Sequence, residues 1–222
     1  MSSHPDYTVN SPLAKQLESE IEGEVYFDTL SRGRYATDAS MYQVFPVGVA
    51  VPKNAQDVTR ALQIAAEHDI AILPRGGGTS QCGQTIGKAL VLDGSKYLTS
   101  VRHFDKEKRE ILVEPGIVLD HLNQFLQPHG LFFPVDVSTS SRATIGGMTG
   151  NNSVGAHSIR YGLMVDNVKG VNAFLADGDQ IKLRPGSTSA QDGRVAHIHT
   201  KMQSLYERER EEMDRRLPKV LR

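Results

Sequence analysis

The sequence predicts an α+β protein, and three observations carry that prediction. Amphipathic helix patterns and short strand-like apolar runs are mixed along the chain without strict alternation, which argues against a doubly wound parallel sheet. Two glycine-rich stretches, Pro74–Gln84 (PRGGGTSQCGQ) and Ala143–Gly155 (ATIGGMTGNNSVG), are each tied to such an apolar run. The 222 residues suffice for one domain, or two small lobes, with a real core.

The elements follow in order. Residues 11–22 read as a helix: Ser11 caps it, Pro12 sits in its first turn, and Leu13, Leu17 and Ile21 share a face. The segment 30–42 is polar and reads as irregular. Val44–Pro52 approaches a strand but is broken by prolines. Asn54 then caps a helix whose Val58, Ala61, Leu62 and Ala65 fall at helical spacing. Ile70–Leu73 is a short buried strand that runs straight into Pro74. Ala89–Asp93, Tyr97–Val101 and Glu110–Glu114 are further strands, and Pro115-Gly116 is a turn. Val118, Leu122 and Phe125 mark a helix ending near Pro128 and Gly130. Val168–Leu175 and Gln180–Leu183 pair across an Asp177-Gly178-Asp179 hairpin turn. Residues 184–195 are loop-like. A last helix carries Ile198, Met202, Leu205, Met213 and Leu217 as its apolar positions, and its charge-mixed run 207–216 reads as a solvated face.

Composition narrows the function classes. Hydrophobic content of 39% and charged content of 23% are ordinary for a soluble protein. The net charge of −1 gives a nucleic-acid reading nothing to stand on. One cysteine, Cys82, excludes an intramolecular disulfide framework and fits a reducing compartment. No apolar stretch approaches the roughly 20 residues needed to cross a bilayer. The N-terminus has neither a basic region nor an apolar one, so no secretory signal is read there and the expected location is cytoplasmic.

Three ligand readings compete for the first glycine stretch. A P-loop requires G-x-x-x-x-G-K-[ST]. Gly87-Lys88 supplies its end, but Cys82 stands where the first glycine belongs and Ala89 replaces the magnesium-binding hydroxyl. A Rossmann fingerprint would put its last glycine at Gln81 and would open a helix, whereas this stretch runs on into the strand 89–93. The third reading fits every residue: a long loop between two strands wraps a diphosphate with its own N–H groups, aided by Arg75, Thr79, Ser80 and Gln84. A glycine-rich surface loop with no ligand is the plain alternative. In the second stretch Thr144 caps a short helix from Ile145, and Gly146-Gly147 in its first turn lets a flat group approach the backbone. Asn151 and Asn152 can donate, accept, or adopt left-handed turns.

Further motifs stand in a fixed order around these two: Tyr35–Ser40, Val113–Gly116, Phe133-Pro134 with Ser138–Ser140, Arg160–Gly162 and Ala176–Gly178. The ordered set resembles the FAD-binding domain of the vanillyl-alcohol oxidase / p-cresol methylhydroxylase (PCMH) superfamily over roughly residues 35–183. Within it the chain is most similar to FAD-linked oxidases of the D-lactate, glycolate and D-2-hydroxyglutarate dehydrogenase type. The resemblance implies a PCMH-type fold, two α/β lobes with FAD between them. It implies that Arg75, Gly76, Gly77, Gly78, Thr79, Ser80, Gly83 and Gln84 embrace the pyrophosphate. Pro134, Ser138, Thr144, Gly146, Gly147, Asn152 and Gly155 would line the rest of the cofactor. Many relatives hold the flavin covalently through a histidine in or near the first loop. No histidine lies between 69 and 102 here, so non-covalent FAD is expected.

The resemblance also implies a domain plan: residues 1–38 as a helical arm, 39–184 as the FAD-binding domain, and 185–222 as a loop and helix leading to a substrate domain absent from the chain. Oxidation of a 2-hydroxy acid needs a cation for the carboxylate and a base for the hydroxyl. In the family these lie mostly in that C-terminal domain, so no catalytic residue is assigned, and substrate and electron acceptor would be met through the absent region. His197 and His199 diverge on a helix, which argues against a metal pair, and no metal is expected. His157, close behind Asn152 and Gly155, is read as a structural or cofactor-contact residue before a base. Cys82 reads as a small packing residue, and Tyr161 with Arg160 reads equally as packing or as the cofactor's edge. The competing class is a stand-alone nucleotide-binding or interaction module without redox activity.

Overall fold

The computed structural model describes residues 8–186 and 193–218. The chain divides into two compact units. One runs to Val168 and takes in Phe174–Asp179; the other comprises Lys169–Ala173 and the chain from Gln180 onward.

The first unit contains two cores, each built on its own secondary structure. Helix α1 (Pro12–Glu20) starts where Ser11 Oγ accepts from the Ala14 N–H at 3.3 Å, and it buries Leu13, Ala14 and Leu17. Strand β1 (Glu24–Tyr26) follows. Helix α2 (Thr29–Arg34) occupies part of the polar stretch expected to be irregular. Its signal is a cap and not an apolar face: Asp28 Oδ1 accepts from the Ser31 N–H at 2.8 Å, while none of the helix's residues is buried. Strand β2 (Gly48–Val51), helix α3 (Ala55–Glu67), strand β3 (Ile72–Arg75) and strand β4 (Leu90–Asp93) complete the lobe. Asn54 caps α3 as expected, its Oδ1 taking the Asp57 N–H at 2.9 Å.

The four strands form one sheet in the order β1-β2-β4-β3, with β1 antiparallel to β2 and the other pairs parallel. Val49, Val51 and Val91 pack on one face. Ala50, Leu90 and Leu92 pack on the other with Leu13, Leu17, Ala61 and Ile64 of α1 and α3. Burial on both faces explains why β2 and β4 read as continuous apolar runs. Parallel neighbours require long crossovers. Helix α3 supplies one. The connection from β3 to β4 is the other, and it is the glycine-rich segment 76–89, with no helix in it.

The second core lies over a hairpin of β5 (Val101–Asp105) and β6 (Glu110–Val113). The sequence placed a strand at 97–101; the strand begins at Val101 instead. The hairpin closes where Asp105 Oδ1 takes the Lys108 N–H at 3.0 Å, so the paired residues are those flanking that turn. Helix α4 (Leu119–Leu126) buries Leu119, Leu122 and Leu126. Phe125, expected on the apolar face, is exposed and meets the ring of Phe104 edge-on at 5.6 Å. A short 3-10 turn ends at Gly130, whose φ of 70° is left-handed. Three short helices follow: α5 (Ile145–Gly150), α6 (Ser158–Tyr161) and α7 (Met164–Asn167). Ile117, Val135, Ala143, Ile145, Met148 and Met164 complete this core with the α4 leucines.

In the remaining segments β7 (Val171–Phe174) and β8 (Gln180–Leu183) form a two-stranded sheet. The turn between them is the expected one: Gly178, at φ 89°, donates to Leu175 O at 2.9 Å. Helix α8 (Gly193–Arg216) buries none of its residues. Its charged run pairs along the helix surface, Arg208 with Glu209 and both Arg215 and Arg216 with Glu212, as a solvated face does. Of the expected 184–195 loop, residues 187–192 lie outside the described residues, and 193–195 belong to α8 instead, which starts at Gly193.

Candidate cofactor site

The two glycine-rich stretches, far apart in sequence, meet in the structure. A Cβ built on Gly76 would overlap the Thr144 hydroxyl, and one on Gly77 would overlap the carbonyl oxygen of Arg142. The loop main chain therefore lies directly on the segment 142–144. Thr144 is buried at 1% exposure, and its Oγ1 accepts from the Gly147 N–H at 3.3 Å, capping α5. Gly146 packs on Pro115, where a Cβ would fall 2.5 Å from the proline's own Cβ. Glycine at 76, 77 and 146 is thus required by contact.

The first loop is held at its two ends by one segment. The Arg75 guanidinium donates from Nη1 to Tyr35 O (3.3 Å) and Thr85 O (3.1 Å), and from Nη2 to Thr37 O (2.8 Å). It also lies over the Tyr35 ring, 5.3 Å from its centroid. Asp38 takes the other end: Oδ2 accepts from the Thr85 hydroxyl at 3.0 Å and N–H at 3.4 Å, while Oδ1 accepts from Ser40 N–H at 2.8 Å. Below, the Tyr35 hydroxyl donates to Asp93 Oδ2 at 2.7 Å, and Ser95 occupies Asp93 Oδ1. Burial, then that bond to Asp93, pushes the Tyr35 hydroxyl well above the usual tyrosine range. Burial also lowers the Arg75 guanidinium from its ordinary value.

Inside the loop Ser80 Oγ donates to Gln84 Oε1 and accepts from the Cys82 N–H at 3.2 Å. Gly78 and Gly83 adopt φ of 62° and 77°, and the Tyr42 ring covers Gly83. Among the described residues, the N–H groups of Gly76, Gly77, Gly78, Thr79 and Ser80 meet no protein acceptor. A run of uncommitted N–H groups on glycine-rich backbone is a donor set for an anion.

In the second stretch Asn152 adopts φ 47°, and its Oδ1 accepts from Val165 N–H at 3.0 Å, tying 152 to α7. Gly155 lies on Asp136, where a Cβ would overlap both the main-chain and the side-chain oxygen. Asp136 also takes the His157 N–H at 3.1 Å and the ring Nδ1 at 2.6 Å. The N–H of His157, more than its ring, holds the Asp136 carboxyl below the usual range. Pro134 precedes this contact by two residues, and Ser138 stands exposed at the turn that leads back to Arg142. Cys82 is exposed, so the packing role expected of it is not met. His197 and His199 are both exposed on α8.

Sequence reasoning left Tyr35, Thr37, Asp38, Thr85 and Asp136 without roles in this architecture. Asp38-Ala-Ser40 carried a readable signal, since an aspartate two residues before a serine invites an Asx turn. The carbonyls that Tyr35 and Thr37 offer to Arg75 are groups that every residue possesses.

Known proteins share this architecture. A family described as "FAD binding domain" matches residues 46–184. D-2-hydroxyglutarate dehydrogenase of Haemophilus influenzae is 38% identical over 71% of the chain, and that of Pseudomonas putida is 33% identical over 92%. Glycolate oxidase subunit GlcD of Bacillus subtilis is 35% identical over 78%. The chain spans only 16%, 21% and 37% of these relatives' lengths. Among solved structures, alkyldihydroxyacetonephosphate synthase superposes with a TM-score of 0.70 over 89% of the chain and 37% of its own, at 20% identity. For 6-hydroxy-D-nicotine oxidase of Arthrobacter nicotinovorans the values are 0.68, 80%, 38% and 24%.

The fold is thus that of the PCMH-type flavoproteins. The chain belongs to the FAD-binding domain family.

The residues present fit that cofactor. The loop offers consecutive N–H donors to a diphosphate, and glycines at 76 and 77 let that loop close onto residues 142–144 of the second stretch. FAD carries a diphosphate, which such a donor set suits.

Proposed function

We propose that this chain is the FAD-holding part of a flavin-dependent oxidoreductase that oxidises a 2-hydroxy acid of the D-lactate, glycolate or D-2-hydroxyglutarate class. The observation that carries the reading is the contact of the 76–80 loop with Thr144, which joins a row of uncommitted N–H groups to the start of α5. When bound, FAD supplies the two-electron acceptor for a hydride leaving the substrate carbon.

The chain's own residues divide the holding task. The N–H groups of Gly76 to Ser80 receive the diphosphate, with Thr79, Ser80, Gly83 and Gln84 shaping the loop. Thr144, Gly146 and Gly147 provide the surface facing it, and Pro134, Ser138, Asn152 and Gly155 line the remainder. Arg75 fixes the base of the loop. FAD is held without a covalent bond, because residues 70–101 contain no histidine. The FAD-binding domain is taken as 39–184, between an arm of 1–38 and a linker of 185–222. Substrate carboxylate, hydroxyl and electron acceptor are met by groups outside this chain. The small share of each relative that the chain spans supports that assignment. Among the described residues no helix is long and apolar enough to cross a membrane. The working location is the cytoplasm.

The test is a visible spectrum and an FAD titration of the purified chain. Flavin absorbance that co-purifies, or saturable uptake of added FAD, is expected. A colourless protein that cannot be loaded overturns the reading and leaves an interaction module. Turnover of D-lactate or D-2-hydroxyglutarate with a dye acceptor by the chain alone would overturn the placement of the substrate groups elsewhere.

A further inference from the structure

We infer that Arg75 is a positioning residue: it buckles the 76–85 loop onto the segment 35–38, so that the diphosphate is met by main-chain N–H groups and not by the arginine's charge. The inference rests on the FAD reading above.

The guanidinium is committed elsewhere. Both donors of Nη1 are used, on Tyr35 O and Thr85 O, and Nη2 donates to Thr37 O. Nη2 also stands against the loop itself, in the space where a Cβ on Gly78 would fall 2.6 Å away. The face of the guanidinium lies over the Tyr35 ring. Tyr35 is in turn fixed through Asp93, the register partner of Arg75 in the neighbouring strand. One side chain thus ties the first residue of the loop to Thr85 at its far end, and Asp38 holds Thr85 from a second direction. A planar fork can span three carbonyls; a lysine ammonium carries the same charge at a single point and cannot. An ordered loop loses less conformational freedom on binding, so the buckle acts on affinity through preorganisation.

The experiment compares Arg75→Lys, Arg75→Gln and Asp38→Asn with the parent chain. In the ligand-free protein, the amides of Cys82, Gln84 and Thr85 are followed by hydrogen exchange. All three variants should exchange about tenfold or more faster there, with the amides of α3 unchanged. Titrated with FAD, Arg75→Lys should lose about tenfold or more in affinity, close to Arg75→Gln, and ADP should show the same loss. The salt dependence of FAD binding should be equal in parent and Arg75→Gln. Unchanged exchange in Arg75→Lys overturns the inference. So does parental affinity in Arg75→Lys, or a weaker salt dependence in Arg75→Gln, because each marks the arginine as a counter-ion. If neither Arg75 variant folds, Asp38→Asn carries both readouts by the same criteria. A parent chain that takes up no FAD defeats the cofactor reading, and the exchange measurement then decides the buckle by itself.

Discussion

Gly76 and Thr144 occupy a space that admits only one side chain: a Cβ on the glycine would overlap the threonine hydroxyl. That hydroxyl cannot swing aside without giving up the cap of α5, and Thr144 is buried. Gly76→Ala is therefore expected to cost about 1–3 kcal/mol, as overpacking does. It should also weaken FAD binding, because the shifted loop would move its N–H groups away from Gly146 and Gly147. Denaturant unfolding and FAD titration check the two effects separately. The double variant with Thr144→Ala should recover part of the stability loss, since the clash is then relieved. Strictly additive losses would show that the two residues do not collide.

Gly155 and Gly150 lie in the same stretch and should answer substitution with opposite signs. A Cβ on Gly155 meets the main-chain oxygen of Asp136, which cannot yield as a side chain can. Gly155→Ala should destabilise by about 2 kcal/mol or more, by overpacking together with strain on the Asp136–His157 hydrogen bonds. Gly150, at the end of α5, has nothing within 4 Å of its Cβ position. Gly150→Ala should be neutral or stabilising by up to about 1 kcal/mol, the usual helical difference between the two residues. Thermal unfolding of the two variants decides it, and a larger loss at 150 than at 155 would contradict the contact geometry.

The legible part of this architecture was written in side chains with a local partner. Ser11, Asn54 and Thr144 announced helices that they do cap, because an N-cap oxygen and its N–H lie three residues apart. Buried strands such as Leu90–Asp93 stood out as apolar runs. The position of β5 was misread because a strand's register is set by its partner and its turn, here Asp105 with Lys108. Helix α2 escaped because it lacks an apolar face. At the site, the glycines were visible but their reason was not. That Gly76 lies against Thr144 is a tertiary fact across nearly seventy residues, and the carbonyls of Tyr35 and Thr37 leave no trace in residue type.

Glu24 gives the fold an acid-sensitive fastening. Its carboxylate accepts from Lys96 Nζ, and from the hydroxyls of Tyr26 and Tyr97. Lys96 foremost, then Tyr26 and Tyr97, lower the Glu24 carboxyl to about 2 from 4.5. A depressed carboxyl contributes stability that is present in full above its unfolded value and lost as pH falls through its folded one. The window therefore runs from about pH 4.5 down to about pH 2. Glu24→Gln should lower the melting temperature at pH 7, and the gap to the parent should narrow as the pH approaches 2. The gap will be modest, since ion pairs this close to solvent contribute little. A gap that stays constant across the window would rule out the charge of Glu24 as its source.

Non-covalent attachment of FAD can be decided by a single precipitation. Covalent flavin linkage needs a side-chain nucleophile that reaches the ring, and in many relatives a histidine of the first loop region supplies it. Here residues 70–101 contain no histidine. His103 and His157 lie outside that loop, and His157 has its ring Nδ1 engaged by Asp136. Cys82 is exposed in the loop itself, yet it sits among the residues assigned to the diphosphate, which the ribityl chain separates from the ring carbons that form such links. Acid precipitation of the loaded protein should leave the flavin in the supernatant and a colourless pellet. A yellow pellet that survives washing would assign a covalent bond, and Cys82→Ser and His157→Gln would then identify which side chain makes it.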